Sequence, residues 1–264
     1  MKHVYAGMAV LLAAAAAGCS SSPSPEDLER TLNEHPQILY RVIEKHPAEF
    51  IDALNKAIRL AQSQEGQRAE QVERDRQDAE FKHPKVPVVD DRRAVRGDRA
   101  APVTIVEYTD FQCPYCRREE QVLAAVLEKY PGKVRLVVKQ TPLEIHPQAM
   151  PAAQMFEALA MQSPEMAWRF HDDLFANQAE LQARGQAFIE DAARRAGADM
   201  PRALRDAKGA EVKTRIDQDL QEGRQFGFSG TPGILINGVS FDGAYPQPDL
   251  EKVIDRHLRE LGKA

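Results

Sequence analysis

The chain has 264 residues, 43% of them hydrophobic and 28% charged, enough for one sizeable core with extra elements or for two modest domains. Its formal net charge is −5, and no basic run with interleaved aromatics occurs, which argues against a nucleic-acid partner and leaves an ordinary solvated, mixed-charge surface. The N-terminus begins with Lys2 and His3, and an apolar run follows from Val4 to Ala17. That run is shorter than the roughly 20 residues that span a bilayer, so residues 1–18 read as an export signal.

The apolar run ends in "AAGCS", which resembles a bacterial lipobox, although Ala16 stands where that motif usually has Leu. The resemblance implies that Cys19 is lipidated and becomes the mature N-terminus. Ordinary cleavage nearby would instead leave Cys19 free or remove it. Residues 19–25, with "SSSPSPE" at their heart, then form a flexible tether. Ser20 after the cysteine is similar to lipoproteins sorted to the outer membrane. Either route takes the chain to the periplasm, where its cysteines meet an oxidising compartment.

Residues 26–61 carry three short amphipathic helices. Ser24 is placed to cap the first, with Pro25 at its first position and acids in its first turn. His35-Pro36 and His46-Pro47 break and restart the chain. Leu28, Leu32, Ile38, Leu39, Val42, Phe50, Ile51, Leu54 and Ile58 recur at helical spacing. A piece of this size cannot bury its own core, so its apolar faces call for copies of itself, as a dimer or trimer. Residues 62–100 follow as a polar helical spacer and an irregular connection, with Gly66 inside the helical part and the boundary of the main domain at 83–100.

"VTIVEY" at 103–108 reads as a strand, "CPYCRREEQVLAAVLEKYPG" as a helix and "KVRLVVKQ" at 133–140 as a second strand. From about 146 to 226 the pattern is helical. "SGTPGILINGVSFDG" returns to strands around the tight turn Asn237-Gly238, and "PDLEKVIDRHLREL" closes as a helix. The class is therefore α/β.

Two of the three cysteines, Cys113 and Cys116, lie in "FQCPYC". A zinc site needs four ligands, or three and a water, and no histidine pair stands at ligand spacing, so neither a metal nor another cofactor is expected. A purely structural disulfide across so short a loop would restrict the unfolded chain little. A redox pair has a mechanism. The strand delivers Cys113 to a helix N-terminus, where unpaired N–H groups and the helix dipole favour a thiolate, and Pro114 preorganises the first turn. Cys116, one turn on, faces inward as the resolving thiol.

"APVTIVEYTDFQCPYC" together with "GTPGILING" resembles the DsbA-type branch of the thioredoxin superfamily over roughly residues 97–264. The resemblance implies a thioredoxin fold over 101–264, interrupted by a helical insertion at about 146–226 and preceded by the small helical oligomerisation segment. It implies a cis peptide before Pro232, with Thr231 offering backbone hydrogen bonds to a substrate strand. It implies that Glu107, six residues before Cys113, is a buried acid relaying a proton for the inner cysteine. Tyr115 departs from DsbA, which has histidine there, so a less acidic Cys113 and a less oxidising disulfide are expected. His146 reads more naturally as packing a helix than as acting on the thiols. Trp168, Phe170 and Phe175 read as core of the insertion, and His171 and His257 have no special case.

The helices at 26–61 resemble the oligomerisation segments of ScsC-type and dimeric DsbA-like proteins. Several thiols around a shared cleft would favour attack on wrong disulfides and their reshuffling. The descriptors that follow are a DsbA-like oxidoreductase and isomerase with a redox-active disulfide, and an oligomeric periplasmic lipoprotein. The implied partners are exported cysteine-containing proteins and a membrane redox protein. A DsbA-like oxidase is the alternative, and a structural surface lipoprotein with a vestigial redox domain is the third reading.

Overall fold

The computed structural model describes residues 24–90 and 92–263. The export signal at 1–18, Cys19 and all of the tether up to residue 23 lie outside the described residues. The chain divides into two compact units, Met1–Ala69 and Glu70–Ala264.

In the first unit, α1 (Pro25–Glu34) starts under the Ser24 side chain, which accepts from the Asp27 N–H at 3.1 Å. His35 closes α1, Pro36 caps α2 (Gln37–Lys45), and His46 closes that helix in turn. α3 begins at Pro47 and runs without interruption to Lys82, through Gly66. A mid-helix glycine costs about 1 kcal/mol against alanine, where proline costs about 3, and the strong helix formers around Gly66 absorb that cost. None of the three helices has a buried residue. Leu28, Leu39, Val42, Ile51, Leu54 and Ile58 stand exposed.

The second unit starts earlier than the boundary expected at 83–100. Residues that read as solvated spacer dock onto it through charge and one aromatic ring. Arg76 donates to the Ser240 carbonyl at 2.6 Å, and Glu80 accepts from the Ser240 N–H at 2.7 Å. The Phe81 ring lies 4.4 Å from His257, with the Arg256 guanidinium 3.8 Å above it. A polar sequence hid this contact because its partners are backbone and charge rather than apolar surface.

The remaining elements are β1 (Val95–Gly97), β2 (Val103–Thr109), α4 (Pro114–Lys129), β3 (Val134–Gln140), α5 (Ala149–Ala160), α6 (Pro164–Ala176), α7 (Gln178–Arg184), α8 (Gln186–Ala196), α9 (Met200–Ala207), α10 (Ala210–Gln225), β4 (Gly233–Ile236), β5 (Val239–Asp242) and α11 (Gln247–Glu260). The sheet order is β1-β3-β2-β4-β5. β2 and β3 are parallel and every other pairing is antiparallel. This is a thioredoxin-like α/β fold, with α5–α10 inserted between β3 and β4. The edge strand β1 had no sequence signal, being three residues long and holding Arg96 and Gly97.

Side chains alternate across β2. Ile105 joins the cluster shared with Leu123 of α4 and Ile254 of α11, while Val106 and Tyr108 join Val137 and Leu235 on the other face. Glu107 therefore points to the α4 face. Register sets Tyr108 opposite Gly233, which brings the segment before β4 beside the end of β2. A Cβ at Gly233 would stand 2.5 Å from the Phe228 ring, so a larger residue there would have to displace that ring.

One buried ion network ties the insertion to the sheet. Arg93 grips Asp219 of α10 with two bonds of 2.8 and 2.6 Å, and the Gln140 N–H donates to the same carboxylate at 2.9 Å. Asp219→Ala removes the nearest partner of the buried Arg93, leaving it the longer 3.4 Å contact to Glu157, and should lower unfolding free energy by about 3 kcal/mol in urea titrations. Asp217→Ala, which removes only an exposed pair with Lys213, should cost under about 1 kcal/mol.

Candidate active site

The loop from β2 to α4 is held from three sides. Asp110 is buried and accepts from the Gln112 N–H at 2.7 Å, the Leu143 N–H at 2.9 Å and His146 Nδ1 at 2.8 Å. Gln178, at the start of α7, donates to the Phe111 and Cys113 carbonyls at 2.8 and 3.0 Å. His146 thus braces the loop from outside and does not reach the thiols. Sequence reading missed both Asp110 and Gln178. Asp110 sat inside the quoted motif, but two of its three partners come from 33 and 36 residues away.

This frame places Cys113 at the N-cap of α4 and Pro114 at its first position. Cys113 is only 3% exposed and Cys116 is fully buried. Both are free thiols. The Cys113 Sγ lies 3.4 Å from the Thr231 carbonyl, and the Thr231-Pro232 peptide is cis. The Thr231 hydroxyl is buried and unpartnered beside the thiol, and becomes a donor once the thiolate forms.

The two sulfurs differ sharply in acidity. A hydrogen bond from Cys116 is the largest influence on Cys113. With the Thr231 side chain and the N–H groups of Cys116 and Tyr115 it outweighs burial and lowers the thiol to about 5. That is well below a free cysteine near 8.5, and still above the most acidic helix-terminal cysteines near 3.5. Burial, the bond given to Cys113 and the charge of Glu107 push Cys116 well up. Tyr115 is 54% exposed and contributes through its backbone N–H, while its ring lies under the Arg118 guanidinium at 4.5 Å. The acidity of Cys113 is thus supplied by hydrogen-bond donors and not by a cation at position 115.

Glu107 is fully buried on β2 beneath α4. Its Oε1 accepts from the Thr109 hydroxyl at 2.9 Å, a group that also bears on the Cys116 sulfur. Burial, then the charges of Glu120, Glu119 and Cys113, raise its carboxyl well above the usual range. Glu119 is likewise raised by burial, to about 7. Glu119 and Glu120 follow Cys116 by three and four positions, a spacing that marks the same helix face, and their role could have been read from it. His171 is a correction: expected to have no special place, it is buried 3.6 Å from Glu120. The turns of α6 carry it under the site, which no local pattern announces. Glu107, Glu120 and His171 bring two carboxylate oxygens and an imidazole nitrogen within 4.8 Å of one another.

Two clefts border the Thr231 loop. One of about 520 Å³ lies between Tyr115 and Arg118 of α4 and the segment Ser229–Thr231 with Tyr245. The other, about 330 Å³, runs from Thr231 past Phe228 to Leu143 and Met150. Thr231, whose carbonyl lies 3.4 Å from the Cys113 sulfur, lines both clefts.

A family model described as Thioredoxin matches residues 90–256. Curated relatives are named Na(+)/H(+) antiporter NhaA. One, from Salinispora tropica, is 42% identical over 164 residues, which cover 61% of this chain and 24% of the relative. The chain therefore spans about a quarter of the length of the curated relatives it matches. These names contradict the descriptors expected for this chain, those of a DsbA-like disulfide oxidoreductase and isomerase. Solved structures remain on the oxidoreductase side. A thioredoxin-like oxidoreductase from Silicibacter pomeroyi is 27% identical, with a TM-score of 0.56, over 64% of this chain and 94% of that one. ScsC of Proteus mirabilis, at 20% identity and a TM-score of 0.57, shares the fold over 90% of this chain and 98% of its own.

Alkylation of Cys113 by iodoacetamide should rise with pH about a midpoint near 5. Cys116→Ala and Thr231→Val each remove a donor to the thiolate, so both should move that midpoint upward, Cys116→Ala by more. A midpoint left in place in both variants would contradict the hydrogen-bond account.

Proposed function

The chain belongs to the thioredoxin family, and on that premise we propose that its Cys113–Cys116 pair carries out thiol–disulfide exchange on exported, cysteine-containing proteins. The observation that carries this reading is the split acidity of the pair. A thiolate at Cys113 attacks a substrate disulfide while Cys116 stays protonated, so a mixed disulfide forms before Cys116 resolves it. Thr231 offers its backbone to the substrate strand between the two clefts. Glu107 takes the proton that Cys116 must lose.

The preferred direction is reduction and isomerisation by an oligomer. The exposed apolar faces of α1, α2 and the start of α3 support this reading, since contiguous apolar surface of this kind marks an interface. A dimer or trimer joined through residues 26–61 gathers several thiolates around one substrate. A lipid on Cys19 would hold the assembly to the periplasmic side of a membrane, the outer one by the serine that follows, within reach of a membrane redox partner. A second reading is dithiol oxidation in the manner of DsbA. The Cys113 value of about 5 favours it more than Tyr115 alone suggested, because a stabilised thiolate makes the corresponding disulfide a better oxidant.

Refolding of a scrambled-disulfide protein, with mass measured by light scattering, tests these readings together. The full chain should isomerise as an oligomer. A chain lacking residues 26–69 should become monomeric and keep dithiol exchange, while losing most isomerisation. Cys113→Ser should abolish both, and full retention of function in that variant would point to a structural lipoprotein. A full-length chain that is monomeric at micromolar concentration would remove the case for isomerisation through assembly.

A further inference from the structure

We propose that Glu120 and His171 extend Glu107 into a proton path that joins the buried Cys116 thiol to the surface at Asp172. The proposal rests on the reading of the cysteine pair as a working exchange site.

One carboxylate oxygen of Glu107, one of Glu120 and one ring nitrogen of His171 lie within 4.8 Å of one another, and the charge of Glu107 acts on Cys116. Oε2 of Glu107, Oε2 of Glu120 and Nε2 of His171 are all buried without a hydrogen-bond partner. His171 Nε2 stands 3.6 Å from Glu120, just beyond direct bonding and within the reach of one bridging water or a small side-chain shift. The other ring nitrogen, Nδ1, lies 3.0 Å from Asp172, whose side chain is 53% exposed. The imidazole therefore has one nitrogen in the buried cluster and the other on a carboxylate that meets solvent.

Its walls are apolar. Trp168, Phe175 and Phe111 pack edge-on around the ring with centroids at 4.9, 4.9 and 5.7 Å, which closes other routes for a proton. The charged groups facing His171 among the described residues are Glu120, Asp172 and, through both of these, Arg96. The Arg96 guanidinium reaches Asp172 at 2.6 Å and Glu120 at 3.4 Å. Glu107 stands behind Glu120. A histidine placed only for packing would not need two carboxylates, one on each nitrogen.

In the mixed disulfide of Cys113 with a substrate cysteine, Cys116 gives its proton to Glu107 and its thiolate attacks the Cys113 sulfur. The Cys113–Cys116 disulfide forms. The substrate sulfur leaves with the electron pair of the broken bond and takes a proton from solvent. The proton on Glu107 passes to Glu120 and then to Nε2 of His171, while Nδ1 releases its own proton toward Asp172 and water. Glu107 is thereby reset, and reduction of the disulfide runs the same path inward.

Single-turnover reaction of the reduced full-length protein with 5,5′-dithiobis(2-nitrobenzoate) separates the steps. The first thionitrobenzoate is released when Cys113 attacks, the second when Cys116 resolves. His171→Gln and Glu120→Gln should each slow the second release relative to the first by about tenfold to a hundredfold, and added imidazole buffer should restore it. Far-UV circular dichroism checks the fold of both variants, and Glu120→Gln, nearer the surface, stands in if His171→Gln is not folded. A second release as fast as in the unaltered protein in the folded variants, or one indifferent to buffer, overturns the path. Zinc bound by the cysteine-alkylated protein and lost in His171→Gln would overturn it too, by making the cluster a metal site. Absence of even the first release in the unaltered protein would instead defeat the reading of the cysteine pair on which the path rests.

Discussion

The buried carboxylate of Asp110 is the constraint on which the rest of the site depends. It accepts two backbone N–H groups and a histidine nitrogen in a space closed to water, so each bond is hard to give up. Two of its partners belong to the segment after β3, and one to the loop itself. The hand-over from β2 to α4 is thereby fixed to the far end of the neighbouring strand. Gln178 then fastens the same loop to the inserted helices through two carbonyls. The insertion is thus more than a lid on the sheet. Its helix α7 holds the Cys113 carbonyl, and α6 supplies the buried His171.

Once Cys113 is set at the N-cap, the chemistry follows from who donates to whom. The thiolate is surrounded by donors: the Cys116 thiol, the Thr231 hydroxyl and two N–H groups of the first turn. Cys116 has the opposite surroundings, with burial and the charge of Glu107 both working against its ionisation. The hydrogen bond between the two sulfurs enters both sides of this difference, lowering one and raising the other. That bond adds to the donors around Cys113 and to the burial of Cys116, and the tyrosine between them is free to face solvent.

Local physics made much of this legible from sequence. Val103–Thr109 alternates faces as a strand must, so Ile105 and Glu107 share a side, and a capped, proline-started helix after Cys113 needs no tertiary information. The double His-Pro breaks were equally plain. What stayed hidden depends on contacts across long separations. His171 lies 51 positions beyond Glu120 in the chain, and its depth is set by how α6 packs, not by its neighbours in sequence. The docking of Arg76, Glu80 and Phe81 was hidden for a different reason. Hydrophobic periodicity reports faces that bury apolar surface, and this contact is made of charge, a backbone edge and one ring.

The acids buried on and beneath α4 carry a cost set first by burial. Glu119 is raised to about 7 by burial, so its contribution to stability is full below about 4.5 and is lost as pH climbs toward 7. Glu107 runs in the same direction. Cys113 runs the other way. Its folded value lies below that of an unfolded cysteine near 8.5, so it adds stability to the reduced protein as pH rises from about 5, and loses it as pH falls through that point. The opposing slopes are joined because the Cys113 charge is one of the forces that raise the Glu107 carboxyl. Bonding the Cys113 sulfur into a disulfide removes that charge, and with it part of the upward push. Burial of the carboxyl beside the pair thus does two things: it weakens the fold near neutral pH, and it couples the Glu107 carboxyl to the charge carried by the neighbouring sulfur.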